Sequence, residues 1–431
     1  MDRPDQVELR RDLGPWAAAA LVVGTIIGTG VFLKTGTMAA IGGSAVWVLV
    51  AWGAAGLLSF TGALTYAELG AMFPRAGGEY IYLREGYGPA MGYLYAWNRF
   101  WIATPGSIAA YAVGTATFLH VDKPVALALI AVFTAVNCLN VRAGGNLQTA
   151  LTAMKVAMIL GLAFGALALA RDGSWARVAD TGGGFPGWSP FGAMVLAALW
   201  AYDGWNNLPM AAGEVRDPSR NVPRAIVWGS LAVLVIYALV NVGYFHALPF
   251  AQVAGAKSVA QDVAAQFLGG TAQGLLAGAM AISAVSAMNG SMLTGARVPY
   301  AVASDGLAPR PLARLHPKSR VPVTAVIVQG AIASGYALVG GFDALTDAVV
   351  FASWLFYALN AGTVLLLRRR EPDRPRSFRV PGFPVVPVVF VGLATLLLVN
   401  AVWTAPRASA LGLGVTAAGA LAYLAFYRVK A

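Results

Sequence analysis

The chain is 431 residues long, with 58 % hydrophobic residues, 11 % charged residues and a formal net charge of +11. With a mean hydropathy of +0.66, this composition excludes an ordinary soluble domain, in which roughly a quarter of the residues are charged. A single cysteine, Cys138, excludes an internal disulfide framework.

The start, Met1 to Arg11, is polar and charged. The apolar run behind it is too long for a cleavable signal and lacks a clear cleavage site, so the N-terminus is expected to be kept. That first apolar stretch, Leu13 to Leu33, is interrupted by Gly24-Thr25-Ile26-Ile27-Gly28-Thr29-Gly30. Each glycine weakens a helix by about 1 kcal/mol relative to alanine. Inside a bilayer, irregular backbone survives only where protein covers it or it lines a polar cavity. A half-helix that begins after such a break aims unpaired N–H groups and a positive dipole end at an anion such as a carboxylate. A later apolar stretch is interrupted by Tyr202-Asp203-Gly204-Trp205-Asn206-Asn207, and its freed carbonyls suit an ammonium group. Two broken membrane helices at matching places in two halves predict a solute transporter with a mid-membrane receptor for a zwitterion. The alternative is that the glycines only permit close helix packing, as G-x-x-x-G pairs such as Gly24 and Gly28 do in lipid.

At about 20 apolar residues per span, the sequence predicts twelve spans. Their centres lie near Gly24, Leu57, Ala103, Val132, Ile159, Ala201, Val235, Ile282, Gly330, Leu355, Leu393 and Ala417. An even number puts both termini on one side. The termini and alternate loops hold Arg3, Arg10, Arg11, Arg75, Arg84, Arg142, Arg216, Arg220, Arg224, Arg310, Arg314, Lys318, Arg320, the arginines from Arg368 to Arg379, Arg428 and Lys430. The other loops hold only Lys34, Lys123, Arg171, Arg177, Lys257 and Arg407. This asymmetry predicts both termini in the cytoplasm. It also accounts for a pI near 9.9 as topology, with no need for nucleic acid.

Arg99, Lys155 and Arg297 fall within predicted spans, where a charge costs about 2.5 to 3.5 kcal/mol. Arg99 and Arg297 lie toward cytoplasmic ends and are expected to snorkel to the interface. Lys155 lies well inside the otherwise apolar stretch Leu147 to Leu169 and is expected to be functional. Between spans two and three, Gly77-Gly78-Glu79-Tyr80 through Gly86-Tyr87-Gly88 suggests an interfacial segment able to change shape. Glu214 to Arg224, after the second break, reads equally as a solvated helix end or a cytoplasmic gating latch. Arg368 to Arg379 reads as an orienting loop, with anionic lipid contact as an alternative use.

Gly24-Thr25-Ile26-Ile27-Gly28-Thr29-Gly30-Val31-Phe32, Pro74-Arg75-Ala76-Gly77-Gly78-Glu79-Tyr80, Trp200-Ala201-Tyr202-Asp203-Gly204-Trp205-Asn206 and Glu214 to Pro223 together resemble the amino-acid/polyamine/organocation (APC) superfamily. Within it they are most similar to the bacterial branch of the L-type amino acid transporter family, in the same motif order over essentially the whole chain. The resemblance implies an all-α membrane protein with the leucine-transporter fold: inverted five-helix repeats at 1–170 and 185–370, then two helices at 381–428. It implies that N–H groups of Gly28, Thr29 and Gly30 hold the substrate carboxylate, and that carbonyls of Ile26, Trp200, Ala201 and Asp203 hold its ammonium. Trp200 aligns with an aromatic gate, although plain aromatic packing also fits. Asn206 aligns with a polar residue linking the broken helix to substrate or neighbouring spans. Sodium-coupled members of the fold place a cation between spans one and eight, whereas many relatives carry a lysine on span five there. The likeness therefore implies that Lys155 bonds the carbonyl of Gly24 or its neighbours and the hydroxyl of Ser283, and that transport is sodium-independent.

Two departures from the pattern matter. Relatives usually have glycine where Asp203 stands, so a carboxylate there could favour cationic substrates, take a proton, or turn away to accept helix hydrogen bonds. Neutral L-amino acids remain the leading substrates. Animal members join a glycoprotein heavy chain through a cysteine in the loop between spans three and four. Here that loop reads His120-Val121-Asp122-Lys123-Pro124, so no disulfide-linked heavy chain is expected and the protein is expected to act as a monomer. The reading implies a multi-pass protein of the bacterial inner membrane whose partners are an amino acid and lipid, without cofactor or metal. Exchange, proton symport and facilitated diffusion stay open. An embedded enzyme fits poorly because His120, His246 and His316 fall near loops in no metal-ligand spacing. A channel suits paired broken helices less well, and an amino acid sensor remains the main rival.

Overall fold

The computed structural model describes residues 9–256, 258–340, 342–404 and 406–426. The topology markers Arg3, Lys257, Arg428 and Lys430, and the outer ends of the first and last expected segments, lie outside the described residues. Among the described residues the fold is all-helical, apart from an isolated bridge between Leu13 and Val215.

The first apolar stretch forms α1 (Pro15–Ile26) and α2 (Gly30–Gly42), followed by α3 (Ala45–Met72). Next come α4 (Glu79–Tyr87), α5 (Pro89–Asn98), a π-helical turn (Arg99–Ala103), α6 (Thr104–Phe118), α7 (Lys123–Leu139) and α8 (Val141–Ala168). The second half holds α9 (Trp175–Val178), α10 (Trp188–Ala201), α11 (Asn207–Met210), α12 (Pro218–Ala247), α13 (Phe250–Gly255), α14 (Val259–Leu268) and α15 (Ala272–Gly295). It closes with α16 (Arg297–Ser304), α17 (Val323–Val339), α18 (Phe342–Arg370), α19 (Val385–Thr404) and α20 (Pro406–Phe426). Each centre expected from sequence lies inside one of these helical segments. The helix ends follow local chemistry. Proline opens α1, α5, α7 and α12, where its missing N–H costs nothing. Ser44 and Asn140 cap α3 and α8 by accepting from the Trp47 and Ala143 amides.

Pro15–Gly42, Ala45–Met72, Val141–Ala168, Pro218–Ala247 and Val259–Ser304 are long and apolar enough to cross a bilayer, and shorter apolar helices stand beside them. Leu57, Val132, Phe164, Val235 and Leu396 point outward, each more than half exposed. Such a surface is a liability in water and the expected lipid-facing surface of a membrane protein. Inside, α3 packs along α12, α6 along α15, and α18 along α19; α1 is wedged among α8, α12 and α15, and α2 lies on α10.

The connections contact one another in two sets. Lys123 reaches the Leu338 carbonyl, Ser174 the His246 carbonyl and Val46 the Asp180 carbonyl; all of these lie in or beside loops expected outside. Among those expected inside, Leu13 and Arg216 pair through the Glu214 and Leu13 carbonyls, Arg84 meets Asp305, and Arg370 reaches the Gly86 carbonyl.

Two expectations for the charged side chains are corrected here. Arg297 does not snorkel: it is 1 % exposed, and its Nε and Nη2 each donate to the buried Glu214 carboxylate at 2.8 Å. A partnered guanidinium gains from staying with its carboxylate, whereas a lone one would seek water. Glu214 is accordingly not a solvated helix end; it pairs the segment after the second break with the start of α16. The loop after α18 is more than an orienting loop. Arg368 donates twice to buried Glu68, at 2.7 and 2.8 Å, Arg376 lies 3.2 Å from the same carboxylate, and the Val380 amide adds a third donor at 2.7 Å.

Candidate functional site

The first break runs from Ile27 to Thr29. The Ile27 amide still reaches back to Val23 at 2.9 Å, but the Gly28 amide folds onto the Ile26 carbonyl at 2.8 Å. Gly28 N–H, expected to donate to the carboxylate, is engaged within the turn in this structure. The amides of Thr29 and Gly30 carry no backbone hydrogen bond among the described residues. Beside them the Thr29 hydroxyl is buried without a partner. Open amides and a buried hydroxyl at the start of α2 form a donor set suited to a carboxylate.

The second break, Tyr202 to Asn206, turns through Gly204 at φ +132°. A Cβ there would lie 2.7 Å from both the Ile26 nitrogen and the Thr25 carbonyl carbon, so only glycine lets the two breaks meet backbone to backbone. The Thr25 hydroxyl donates to the Gly204 carbonyl at 2.9 Å across the junction. On its other side, Gly30 abuts Ala201 and the Trp200 ring. The Lys34 amine stands 5.3 Å from the centre of that ring, at cation–π distance.

Of the carbonyls expected to take an ammonium, Ile26 and Ala201 both accept from the Tyr237 hydroxyl on α12, at 3.2 and 3.1 Å. Trp200 accepts from the Asp203 amide at 3.4 Å. Tyr237 thus bridges the two breaks where two expected acceptors converge. Sequence reading missed it because a tyrosine inside an apolar helix carries no local signal of what its hydroxyl will meet.

Lys155 on α8 is fully buried. Its amine donates to the carbonyls of Gly24 at 2.6 Å and Ile27 at 2.5 Å, with the Ser283 carbonyl at 3.4 Å. The Ser283 hydroxyl, expected to bond the amine, instead donates to the Ile27 and Gly28 carbonyls at 3.1 and 2.9 Å. A hydroxyl facing two carbonyls serves better as donor than as acceptor, so α15 and α8 together stitch the open end of α1.

The remaining polar residues form a second cluster beyond the junction. The Tyr357 hydroxyl donates to Asp203 Oδ1 at 2.8 Å. Asn206 donates to Glu79 at 3.3 Å, and its own carbonyl oxygen is buried and unpaired. Glu79, fully buried at the start of α4, also receives Tyr66 at 2.6 Å, Tyr95 at 2.5 Å and Asn360 at 3.5 Å. It ties α3, α5, α18 and the second break together. The motif Gly77-Gly78-Glu79-Tyr80 pointed to this segment, but not to a buried hub. Arg99 does not snorkel either. It is 8 % exposed, opens the π-helical turn and donates to Asn207 at 2.6 Å; such turns recur at functional positions.

At the far end of α4, Glu85 accepts from Arg75 at 2.7 Å and Arg84 at 2.9 Å. Partial burial pushes its carboxyl up, but the Arg84 hydrogen bond and charge, aided by Arg75 and Arg374, outweigh that and hold it below the usual range. Among the described residues no group of three His, Cys, Asp or Glu side chains is placed to hold a metal ion.

Comparison with known proteins adds independent findings. The family described as amino acid permease matches residues 13–425. The chain is 33 % identical over 404 residues to b(0,+)-type amino acid transporter 1 of Mus musculus, covering 90 % of this chain and 82 % of that protein. It is 30 % identical over 434 residues to the serine/threonine exchanger SteT of Bacillus subtilis, covering 98 % of each. It is 27 % identical over 434 residues to large neutral amino acids transporter small subunit 2 of Oryctolagus cuniculus, covering 97 % of this chain and 80 % of that protein.

Proposed function

Because the chain belongs to the amino acid permease family of the APC superfamily, we propose that it exchanges neutral L-amino acids across a bacterial inner membrane, without sodium, by alternating access. It is a multi-pass membrane protein and a transporter rather than an enzyme. The proposed scaffold is the leucine-transporter fold with twelve spans. Inverted repeats occupy 1–170 and 185–370, two helices follow at 381–428, and both termini are cytoplasmic.

The observation that carries sodium independence is the Lys155 amine resting on the Gly24 and Ile27 carbonyls. A tethered cation in the broken helix fills a place that would otherwise need an ion. The substrate carboxylate is assigned to the Thr29 and Gly30 amides. Its ammonium is assigned to the carbonyls of Ile26, Trp200, Ala201 and Asp203, with Tyr237 releasing two of them as the ligand arrives. Trp200, held by Lys34, is assigned the gate, and Asn206 the link to the Glu79 hub. Cys138 lies on α7, away from the loop where a heavy-chain disulfide would form, which supports a functional monomer.

A second reading has one observation in its favour. Asp203 brings a carboxylate into the break, where a cationic side chain or a transferable proton would find it. Counterflow in proteoliposomes tests the whole proposal. Labelled serine or alanine uptake should rise with unlabelled amino acid inside, and replacing sodium with choline should leave it unchanged. Absence of counterflow would indicate a sensor, conductance without stimulation from the opposite side a channel, and dependence on a pH gradient proton symport.

A further inference from the structure

Most arginines near the loops expected inside have partners. Arg368 and Arg376 are bound to Glu68, Arg374 to Glu371, Arg297 to Glu214, and Arg75 and Arg84 to Glu85. The guanidinium groups of Arg220 and Arg224, one turn apart near the start of α12, have no hydrogen bond or ion pair among the described residues, and both residues are exposed. Trp228 continues the same stripe another turn along, 67 % exposed, and the stripe runs on to outward-facing Val235. Opposite these side chains stand Ser377 and Phe378, from the loop after α18, and together they enclose a cavity of about 450 Å³. The Ser377 hydroxyl donates to the Ser219 carbonyl, which fixes that wall to the start of α12.

We propose that this cavity binds the phosphate headgroup of an anionic glycerophospholipid from the adjoining leaflet. Two guanidinium forks without a carboxylate are matched to phosphate oxygens, which they can bond in pairs. The indole sits one turn deeper, where tryptophan settles at the headgroup boundary, and the apolar stripe beyond it offers a bed for acyl chains. An anionic leaflet also concentrates such lipids at a basic surface. In the segment Arg368 to Arg379, for which lipid contact was the alternative to an orienting loop, Arg368, Arg370, Arg374 and Arg376 are occupied within the protein, which leaves the lipid role to α12. The inference rests on the membrane topology proposed above, not on the substrate.

The test uses the full-length protein in detergent, with lipid retention read by native mass spectrometry and the thermal midpoint followed as lipid is added. Wild type should retain phosphatidylglycerol over phosphatidylcholine and be stabilised by it. Arg220→Gln with Arg224→Gln should retain about thirtyfold less, since each basic residue near an anionic surface is worth about a kcal/mol. Arg310→Gln with Arg314→Gln removes the same charge from exposed positions elsewhere and should leave retention unchanged. Equal loss in that control, equal retention of phosphatidylcholine by the wild type, or displacement of the lipid by millimolar inorganic phosphate would each overturn the proposal. If the double variant does not fold, the two single variants give the same reading. Retention is measured without transport, so failure of the exchange reading leaves this result standing.

Discussion

The Lys155 amine and the Ser283 hydroxyl converge on one carbonyl, that of Ile27, at 2.5 and 3.1 Å. One donor comes from α8 and the other from α15, and the acceptor sits where α1 ends. The open end of the broken helix is thus held from two sides by groups that cannot diffuse away. Lys155→Met should leave the Gly24 and Ile27 carbonyls without their amine at a cost of about 1 to 3 kcal/mol. Counterflow should fall to background and the thermal midpoint should drop. Ser283→Ala, which removes a neutral donor, should lose only about 1 kcal/mol and keep partial exchange. Wild-type uptake by Lys155→Met would sink the assignment.

Gly204 is the point of closest approach between the breaks. Gly204→Ala must place a methyl group against the Thr25 and Ile26 backbone in a conformation that L-residues avoid. Strain and overpacking should each cost about 1 to 3 kcal/mol, so loss of exchange with a lowered midpoint is expected. Gly192→Ala, on α10 with nothing within 4 Å, is the control and should behave as wild type.

Asp203 offers a test of substrate charge. If neutral amino acids are the substrates, alanine uptake should exceed arginine uptake in the wild type, and Asp203→Gly should retain alanine exchange. Side-by-side uptake of the two labelled amino acids checks it. Stronger arginine uptake by the wild type, lost in Asp203→Gly, would establish the cationic reading instead.

The Glu214–Arg297 pair should show the asymmetry of buried ions. Removing one partner, as in Arg297→Met, leaves a buried charge and should cost about 3 to 5 kcal/mol, whereas Glu214→Leu combined with Arg297→Met should recover most of it. A double-mutant cycle on thermal or denaturant midpoints measures the coupling. Additive losses would show that the pair contributes nothing as a pair.

Glu85 gives a pH signature. Its carboxyl is held below the ordinary range by Arg84 and Arg75, so its contribution is present above the unfolded value of about 4.3 and is lost as pH falls through the lower folded value. The midpoint difference between wild type and Glu85→Gln should be constant from neutral pH down to about 5 and shrink below about 4. A difference that instead shrinks between pH 6 and 8 would contradict the arginine contacts.

Much of this was written in local sequence. The all-helical, apolar character followed from composition and apolar length, the breaks from clustered glycines and the buried lysine from a charge in an apolar run, because each reports a cost the chain meets within a few residues of itself. The fate of Arg99 and Arg297 was not legible. Whether a guanidinium snorkels or stays depends on a partner far along the chain, Asn207 for the first and Glu214 for the second.

Sequence by itself determined that this chain lives in a membrane, that two of its helices must break, and which family of transporters it joins. The tertiary structure decided what each freed group meets: Tyr237 between two carbonyls, Glu79 among two tyrosines and two asparagines, and Arg220 and Arg224 left facing a cavity. Backbone interruption is a local free-energy penalty and can be read along the chain. Pairing a buried polar atom requires a second atom within about 3 Å, and only the packing of distant helices supplies that atom.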